Sequence, residues 1–281
     1  LLFLFVVVIL PGGFFDLMHR LFPSLFGTSY LRSDKSIDAP NSITIGKSGS
    51  VRVRDLGVQA GDVKILQSLT FEVPANKISC IIGPNGAGKT TLLNAMTGVM
   101  KVNNGSVEVS GAPITDLKIY EVLSAGIGRK LQVPAIFNDL TVEENLQVAS
   151  IAGRASFSDF FRKSTLAWKT ETRPMLVDNH KTGLLWSLHY RAGELSQGHK
   201  QFLEMALALG PSPCIVLLDE PTAGMSRDDT RLMIEIIKDY QKKFNALILV
   251  IEHDMRLIEA LESQVFVLNQ GSLLAEGSLK E

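Results

Sequence analysis

The sequence predicts an α/β fold over residues 51–281, and three apolar runs carry that prediction. Residues 77–82 (KISCII) end in a glycine-rich loop, residues 214–218 (CIVLL) end in two carboxylates, and residues 246–251 (ALILVI) lie just before a histidine. Short apolar runs bounded by turn signals are typical of strands that are buried on both faces. Segments with helical spacing separate these runs, which indicates alternating strands and helices.

The remaining elements follow from local patterns. Residues 51–54 and 66–73 alternate apolar and polar positions, as strands of a half-exposed sheet do. The mixed, aromatic segment 154–194 predicts a small helical subdomain inserted in the core. Further predicted elements are helices over 90–100, 196–209 and 228–244, and a strand–turn–strand over 264–276 with Gln270 and Gly271 at the turn.

Composition sets limits on the class of protein. A chain of 281 residues, 46% hydrophobic and 20% charged, can form one large α/β domain or two modest ones. Its net charge of −1 gives no basic field, so nucleic acid is not expected as a partner. Its two cysteines, Cys80 and Cys214, lie in apolar runs, which indicates buried thiols in a reducing compartment rather than a disulfide framework.

The sequence opens with ten apolar residues, 1–10 (LLFLFVVVIL). They are too few to span a bilayer, and no basic segment precedes them as in a secretory signal. We interpret them as the last part of a transmembrane helix, with a buried strand or core helix as the alternative.

The residues that follow support a membrane-proximal interpretation. Residues 11–30, rich in Phe, Leu and Gly, predict an interfacial segment, and the polar residues 31–50 predict a linker. The basic excess after the apolar run would place this side of the helix in the cytoplasm, and it comes from Arg20, Arg32 and Lys35.

A phosphate-binding loop is predicted where the first apolar run ends. The segment GPNGAGKT fits the pattern G-x-x-x-x-G-K-[ST], with a strand before it and a helix after it. Its glycines allow the backbone amides and the helix N-terminus to point at phosphate. Lys89 would reach the β- and γ-phosphates of ATP, and the Thr90 hydroxyl would bind Mg²⁺. The predicted ATP-binding residues here are Gly83, Pro84, Asn85, Gly86, Ala87, Gly88, Lys89, Thr90 and Thr91.

Two carboxylates follow the second apolar run. Asp219 is placed to hold Mg²⁺, and Glu220 is placed to polarise the water that attacks the γ-phosphate. Acidic residues at an exposed strand end are common, so this pattern gains its meaning from the phosphate-binding loop upstream.

Residues 195–199 (LSQGH) resemble the signature of ABC-type ATP-binding cassettes, whose common form is Leu-Ser-Gly-Gly-Gln. The resemblance covers residues 51–281 and implies a P-loop NTPase cassette with an antiparallel β subdomain and an inserted α-helical subdomain at about 133–210. It implies that Ser196 and Gly198 contact ATP held by a second cassette in a head-to-tail dimer. It also implies that Gln132 touches Mg²⁺ and water, and that His253 contacts the γ-phosphate.

The resemblance is narrower in several stretches. Residues 126–132, 195–201, 223–225 and 271–277 are similar to the branched-chain amino acid and urea importer branch, with the Arg-Lys pair before Gln132 most similar to the urea type. The N-terminal VVVILPGG is similar to the end of that branch's permease. This implies a permease fused N-terminally, an indirect periplasmic or extracellular solute-binding protein, and a place on the cytoplasmic face of the inner membrane.

Four positions depart from the family pattern. Ala60 stands where an aromatic residue stacks on adenine, and Ser226 stands where the D-loop has an aspartate. Gln197 and His199 replace a glycine and a glutamine of the signature. These departures put base stacking, communication across the dimer and approach to phosphate in doubt. Hydrolysis is still expected, because the departures leave four residues in place: Lys89, Asp219, Glu220 and His253.

We therefore expect an ATPase that powers import of a small polar solute: urea, a short-chain amide or a branched-chain amino acid. One alternative is a nucleotide-binding module with reduced turnover. A second alternative is a non-transport ABC ATPase acting on DNA or the ribosome. Such proteins usually show two cassettes or a long coiled coil. A P-loop kinase would not need residues 195–199 or His253.

Overall fold

Two sheets organise the protein in the computed structural model, which describes residues 49–115, 117–130, 136–151 and 172–279. These residues belong to one compact unit, Ile43–Glu281. The strands are β1 (Val51–Ala60), β2 (Val63–Val73), β3 (Ile78–Ile82), β4 (Asn104–Val109), β5 (Ala112–Pro113), β6 (Ile127–Lys130), β7 (Ile215–Asp219), β8 (Leu247–Ile251), β9 (Gln264–Asn269) and β10 (Ser272–Ser278). The helices are α1 (Lys89–Met96), α2 (Ile119–Ser124), α3 (Val142–Ile151), α4 (Arg173–Leu176), α5 (Gln197–Leu209), α6 (Arg227–Phe244) and α7 (Met255–Leu261).

The larger sheet has six strands in the order β10-β9-β3-β8-β7-β6. Neighbouring strands from β9 to β6 are parallel, and β10 pairs antiparallel with β9. Every residue of β7 and β8 is buried, which accounts for their uninterrupted apolar sequences. Because β3, β7 and β8 are parallel neighbours, the loops that follow them meet at one edge of the sheet.

The smaller sheet is antiparallel, with the order β2-β1-β4-β5. In β1 the alternation of buried and exposed positions breaks at Asp55, whose φ is +48°, and the pairing register shifts between Val53 and Leu56. This bulge allows β1 to continue to Ala60, beyond the four residues that alternation predicts.

Two apolar cores cover the two faces of the larger sheet. One lies between the sheets around α1 and includes Leu92 and Phe71, whose ring centroid lies 5.0 Å from that of Phe266. The other is formed with α5 and α6 and includes Phe202 and Tyr240. The buried Tyr240 hydroxyl donates a hydrogen bond of 2.8 Å to the Pro213 carbonyl.

Several predicted boundaries need correction. Helix α1 ends at Met96 rather than at residue 100, because Gly98 adopts φ +69° and the amides of Gly98 and Val99 turn back to the carbonyls of Ala95 and Asn94. The strand predicted from residue 214 begins at Ile215 and includes Asp219.

The turn between β9 and β10 is confirmed at Gln270 and Gly271, with φ +47° and +78°. A Cβ at Gly271 would lie 2.1 Å from the Ile65 carbonyl oxygen, so this turn requires glycine.

Parts of the sequence-based domain prediction fall outside the described residues. These are residues 1–48, which include the apolar run and most of the linker, and residues 133–135 and 152–171 of the helical subdomain. Residues 172–194 contain α4 and three short 3₁₀ helices. None of the helices in the described ranges combines the length and apolar character needed to cross a bilayer.

Candidate functional site

The phosphate-binding loop connects β3 to α1 at the carboxyl edge of the larger sheet. A Cβ at Gly83, which has φ +151°, would lie 2.1 Å from the Leu268 carbonyl oxygen. A Cβ at Gly88, which has φ +96°, would lie 2.7 Å from Leu66 Cδ2. Only glycine fits these two positions, so the tight loop follows directly from the sequence.

Lys89 begins α1 and turns its side chain into this loop. Its Nζ donates to the carbonyl oxygens of Gly83 at 2.8 Å and Pro84 at 3.0 Å. No side chain of the described residues caps the N-terminus of α1. The first amides of the helix therefore have no side-chain cap, and the Lys89 ammonium lies in the loop that precedes them, an arrangement that favours an anion such as phosphate.

Asp219 ends β7 and is 1% exposed. Its carboxylate lies beside the Thr90 hydroxyl, and no other donor in the described part of the chain is bonded to it. Burial raises the pKa of Asp219, while the nearby Thr90 hydroxyl and Arg129 guanidinium act in the opposite direction. A buried carboxylate beside a threonine hydroxyl fits a hard cation.

This donor set fits Mg²⁺ in particular. The described residues contain no group of three or more His, Cys, Asp or Glu side chains that could hold a metal. Mg²⁺ commonly uses one or two protein oxygens and completes its shell with substrate phosphates and water. Thr90 and Asp219 supply such oxygens beside the phosphate-binding loop.

Glu220 follows β7 in a left-handed conformation, with φ +46°. Its amide donates to the Ile251 carbonyl at the end of β8, at 3.0 Å. Its Oε1 lies 3.8 Å from Nδ1 of His253, and the His253 side chain is 74% exposed. The structure thus brings together two predicted catalytic residues from separate loops, and the strained backbone is typical of a functional position.

The signature residues lie at the start of α5. Ser196 is the N-cap, and its Oγ accepts a hydrogen bond from the His199 amide at 3.3 Å. A Cβ at Gly224 would lie 3.2 Å from Cγ of Gln197, so the Gln197 side chain packs toward the loop that follows Glu220.

Ser196 is exposed. Gly198 lies close to Asp229, since a Cβ at this glycine would be 2.9 Å from Asp229 Oδ2. Among the described residues no hydrogen bond joins the segment 195–199 to the phosphate-binding loop. The N-terminus of α5 therefore presents its hydroxyl and amides separately from the loop that would hold phosphate in the same chain.

The other predicted positions have varied placements. Gln132 lies outside the described residues. Ala60 is exposed at the end of β1 and pairs with Val63 across the turn. Ser226 is the N-cap of α6: its Oγ accepts from the Asp229 amide at 3.2 Å and donates to Asp229 Oδ2 at 2.7 Å. Ser226 thus has a local capping role.

Sequence reasoning missed the structural roles of Arg129 and Lys130. Arg129 reaches from β6 to the end of α1, where it donates to Thr97 Oγ1 at 2.6 Å and Asn94 Oδ1 at 2.8 Å. Lys130 Nζ lies 3.0 Å from Glu204 Oε2 on α5, and both side chains are buried. The signal was the Arg-Lys pair itself, because two cations in a short strand need buried partners.

The fold and site together define a nucleotide-binding domain of the P-loop ATPase class. A glycine loop with an inserted lysine, a buried carboxylate and a Glu–His pair lie at the carboxyl ends of neighbouring parallel strands.

Comparisons with known proteins identify the family. Residues 66–223 match the family described as ABC transporter. The chain is 31% identical over 237 residues to the high-affinity branched-chain amino acid transport ATP-binding protein LivG of Salmonella typhimurium, covering 82% of this chain and 91% of that protein. It is 29% identical over 236 residues to a probable LivG of Methanocaldococcus jannaschii, covering 82% and 90%.

Solved structures agree with this result. A nucleotide-free ATP-binding cassette from an ABC transporter superposes with a TM-score of 0.67 at 28% identity, covering 82% of this chain and 91% of the other. The ADP conformation of an ATP-binding cassette gives a TM-score of 0.68 at 28% identity, covering 82% and 91%. The chain belongs to the ABC transporter family, as an ATP-binding protein related to LivG-type ATPases, and ATP hydrolysis is expected of it.

Proposed function

We propose that this chain is the ATP-hydrolysing subunit of an ABC importer for a small polar solute. The observation that carries the proposal is the meeting of Glu220 and His253, 3.8 Å apart, at the sheet edge that also holds the phosphate-binding loop and Asp219. A phosphate-binding module without turnover needs the loop but does not need a carboxylate and an imidazole beside it.

The residues divide the chemistry among them. The loop amides and Lys89 bind the β- and γ-phosphates of ATP, and Thr90, Asp219 and Gln132 would hold Mg²⁺, which supplies charge stabilisation between those phosphates. Glu220 accepts a hydrogen bond from the attacking water and orients it in line with the γ-phosphate. His253 donates a hydrogen bond to a γ-phosphate oxygen.

The second cassette completes the site in this proposal. Ser196 is exposed at the N-terminus of α5 and is not hydrogen-bonded to the loop of its own chain within the described residues. In a head-to-tail dimer, Ser196 and Gly198 contact the γ-phosphate held by the opposite Lys89, and hydrolysis then reopens the dimer.

The class of solute is inferred from two sources. The relatives in Salmonella and Methanocaldococcus are named for branched-chain amino acid transport. The pair Arg129 and Lys130 before Gln132, and the Ser-x-Gly-x-Lys-Gln signature, resemble the urea type. We therefore propose urea, a short-chain amide or a branched-chain amino acid as the imported solute.

The remaining proposals concern partners and place. The cassette would act on a transmembrane permease that receives solute from a periplasmic or extracellular binding protein, which places the cassette on the cytoplasmic face of the inner membrane. Two interpretations of the N-terminal part stay predictions. Residues 1–30 are predicted to be the end of a permease helix and an interfacial segment, and residues 31–50 are predicted to be a linker.

The test is the substitution Glu220→Gln. Wild-type protein should hydrolyse ATP with Mg²⁺, and Glu220→Gln should bind MgATP while its turnover falls by roughly 10²–10⁴-fold, the usual contribution of a general base. Size-exclusion chromatography should show a dimer of Glu220→Gln only with MgATP. Tight MgATP binding without wild-type turnover would instead support the reduced-turnover module. Unchanged turnover in Glu220→Gln would remove Glu220 from its role.

The solute is tested separately in cells that lack their own uptake systems. Complementation with the chain and its permease should restore uptake of radiolabelled urea or leucine, and Lys89→Ala should abolish it. If uptake of urea, leucine and a short-chain amide all stay absent, the importer proposal is contradicted while the ATPase proposal is unaffected.

A further inference from the structure

Glu252 is a buried carboxylate at the junction of three loops, and the nucleotide chemistry above does not use it. It follows β8, directly precedes His253 and is 2% exposed. Its amide points to the Ile81 carbonyl at 3.4 Å, near the end of β3 and next to the phosphate-binding loop. Burying a carboxylate is costly unless its oxygens are hydrogen-bonded, so its partners show what it holds.

Both oxygens of Glu252 accept hydrogen bonds from the catalytic loops. Oε1 accepts from the Thr222 hydroxyl at 2.9 Å, two residues after Glu220. Oε2 accepts from the backbone amide of His253 at 3.2 Å. One side chain thus joins the loop that carries Glu220 to the loop that carries His253.

The charged groups around Glu252 also favour a role in positioning His253. Nδ1 of His253 lies 3.8 Å from Glu220 Oε1 and 3.9 Å from Glu252 Oε2, so this ring nitrogen is near both carboxylates. Burial raises the pKa of Glu252, and the hydrogen bond from Thr222 opposes this shift.

Glu220 also needs support from its surroundings. Its left-handed φ of +46° is unfavourable for a residue with a side chain, so neighbouring contacts must hold it. Its amide bonds to Ile251, and the Ala223 amide bonds back to the Glu220 carbonyl at 3.2 Å. The Thr222–Glu252 hydrogen bond holds Thr222, a residue inside this turn.

The same turn is tied to the signature helix. Gln201 on α5 donates from Nε2 to the Ala223 carbonyl at 3.2 Å, next to Thr222. The hydrogen-bonded path therefore runs from α5 through residues 222–223 to Glu252 and His253 within one chain.

We propose that Glu252 is a positioning residue, whose two oxygens hold the Thr222 turn and the His253 backbone so that Glu220 and His253 keep their relative placement. This inference deepens the proposed function and rests on it for the catalytic roles of Glu220 and His253. Glu252 itself touches no phosphate and acts through its hydrogen bonds.

The hydrogen-bond requirement predicts which substitutions are tolerated. Glutamine at position 252 can accept from the His253 amide through its oxygen and donate to the Thr222 hydroxyl, which can also act as an acceptor. Leucine has a similar volume but can make neither bond. Glu252→Gln should therefore keep the two hydrogen bonds, and Glu252→Leu should lose them.

The kinetic test compares kcat with KM for ATP at a temperature well below unfolding. Glu252→Leu should lower kcat by roughly 10–100-fold, the scale expected for misplaced catalytic groups, with KM changed far less. Glu252→Gln should stay close to wild type. Thr222→Val should lower kcat in the same direction, and the losses in Thr222→Val/Glu252→Leu should not add. The matched control is Glu259→Leu, an exposed carboxylate on α7, which should keep wild-type kcat.

Hydrogen exchange gives a second readout that does not depend on turnover. The His253 amide should exchange faster in Glu252→Leu and remain protected in Glu252→Gln, while exchange in α6 stays unchanged. Wild-type kcat in Glu252→Leu, or unchanged His253 exchange, would overturn the inference. Equal loss in Glu252→Gln and Glu252→Leu would overturn it too, because charge rather than hydrogen bonding would then matter. Inactive wild-type protein with the predicted exchange pattern would reject the proposed function and retain the positioning role of Glu252.

Discussion

Breaking the buried ion pair between Lys130 and Glu204 should cost the protein a large part of its stability. Lys130 Nζ and Glu204 Oε2 lie 3.0 Å apart, and their side chains are 1% and 5% exposed. Removing one member of a buried ion pair typically costs about 3–5 kcal/mol, because the other charge stays buried after the attraction between the two is lost. Lys130→Met should therefore lower the urea midpoint of unfolding by roughly 1–2 M, given an m-value near the upper end of the usual range.

An exposed pair of nearly the same length is the matched control. Lys238 Nζ and Glu262 Oε1 lie 3.1 Å apart, but their side chains are 29% and 83% exposed. Lys238→Met should cost about 1 kcal/mol or less, because water screens exposed charges. The double substitution Lys130→Met/Glu204→Leu should recover most of the lost stability, since no buried charge of the pair remains.

Urea unfolding followed by circular dichroism measures all four proteins. Equal losses in Lys130→Met and Lys238→Met would refute the reasoning, because burial would then not decide the energy. A double variant as unstable as Lys130→Met would refute it as well, because the cost would come from lost packing and not from the uncompensated charge.

Two further predictions concern the phosphate-binding loop and a buried thiol. Gly86→Ala should cost about 1–2 kcal/mol for its left-handed φ alone, since a Cβ there meets no atom within 4 Å. Gly83→Ala should lower the free energy of unfolding in urea by more than Gly86→Ala does, because its Cβ would lie 2.1 Å from a carbonyl oxygen. Equal losses in the two variants would contradict this difference. Burial raises the pKa of Cys80 to about 11, so in Cys214→Ser protein Cys80 should react with a disulfide reagent at pH 8 only after unfolding. Rapid labelling of Cys80 in folded protein would contradict its burial. Because the unfolded thiol loses its proton at a lower pH than the folded one, the free energy of unfolding should also fall as pH rises from 9.0 toward about 11.

Much of the site follows from sequence because its chemistry is local. The phosphate-binding loop needs glycines at Gly83 and Gly88, and the apolar runs that became β3, β7 and β8 are buried on both faces. The start of α5 follows from the capping preference of Ser196. Each of these features depends on neighbouring residues, so one segment of chain specifies it.

The elements that sequence reasoning missed depend on distant partners. Strand β6 (IGRK) has no apolar pattern. Its two cations, Arg129 and Lys130, can lie in the strand because their side chains contact polar groups at the end of α1 and on α5. Strand β1 extends past its alternating part only through the bulge at Asp55. Glu252 resembles any acid after a strand until Thr222 is seen to reach it from another loop. Such pairings are set by tertiary packing, which a local pattern does not encode.

Two copies of this chain should hydrolyse ATP together, and the most direct test is the rate of hydrolysis per molecule measured against protein concentration with Mg²⁺. The head-to-tail arrangement predicts a rate per molecule that rises with concentration to a plateau and vanishes in Lys89→Ala. A rate per molecule that does not change with concentration while the protein passes from monomer to dimer would contradict the shared site. Hydrolysis that persists in Lys89→Ala would contradict the assignment of the phosphate-binding loop.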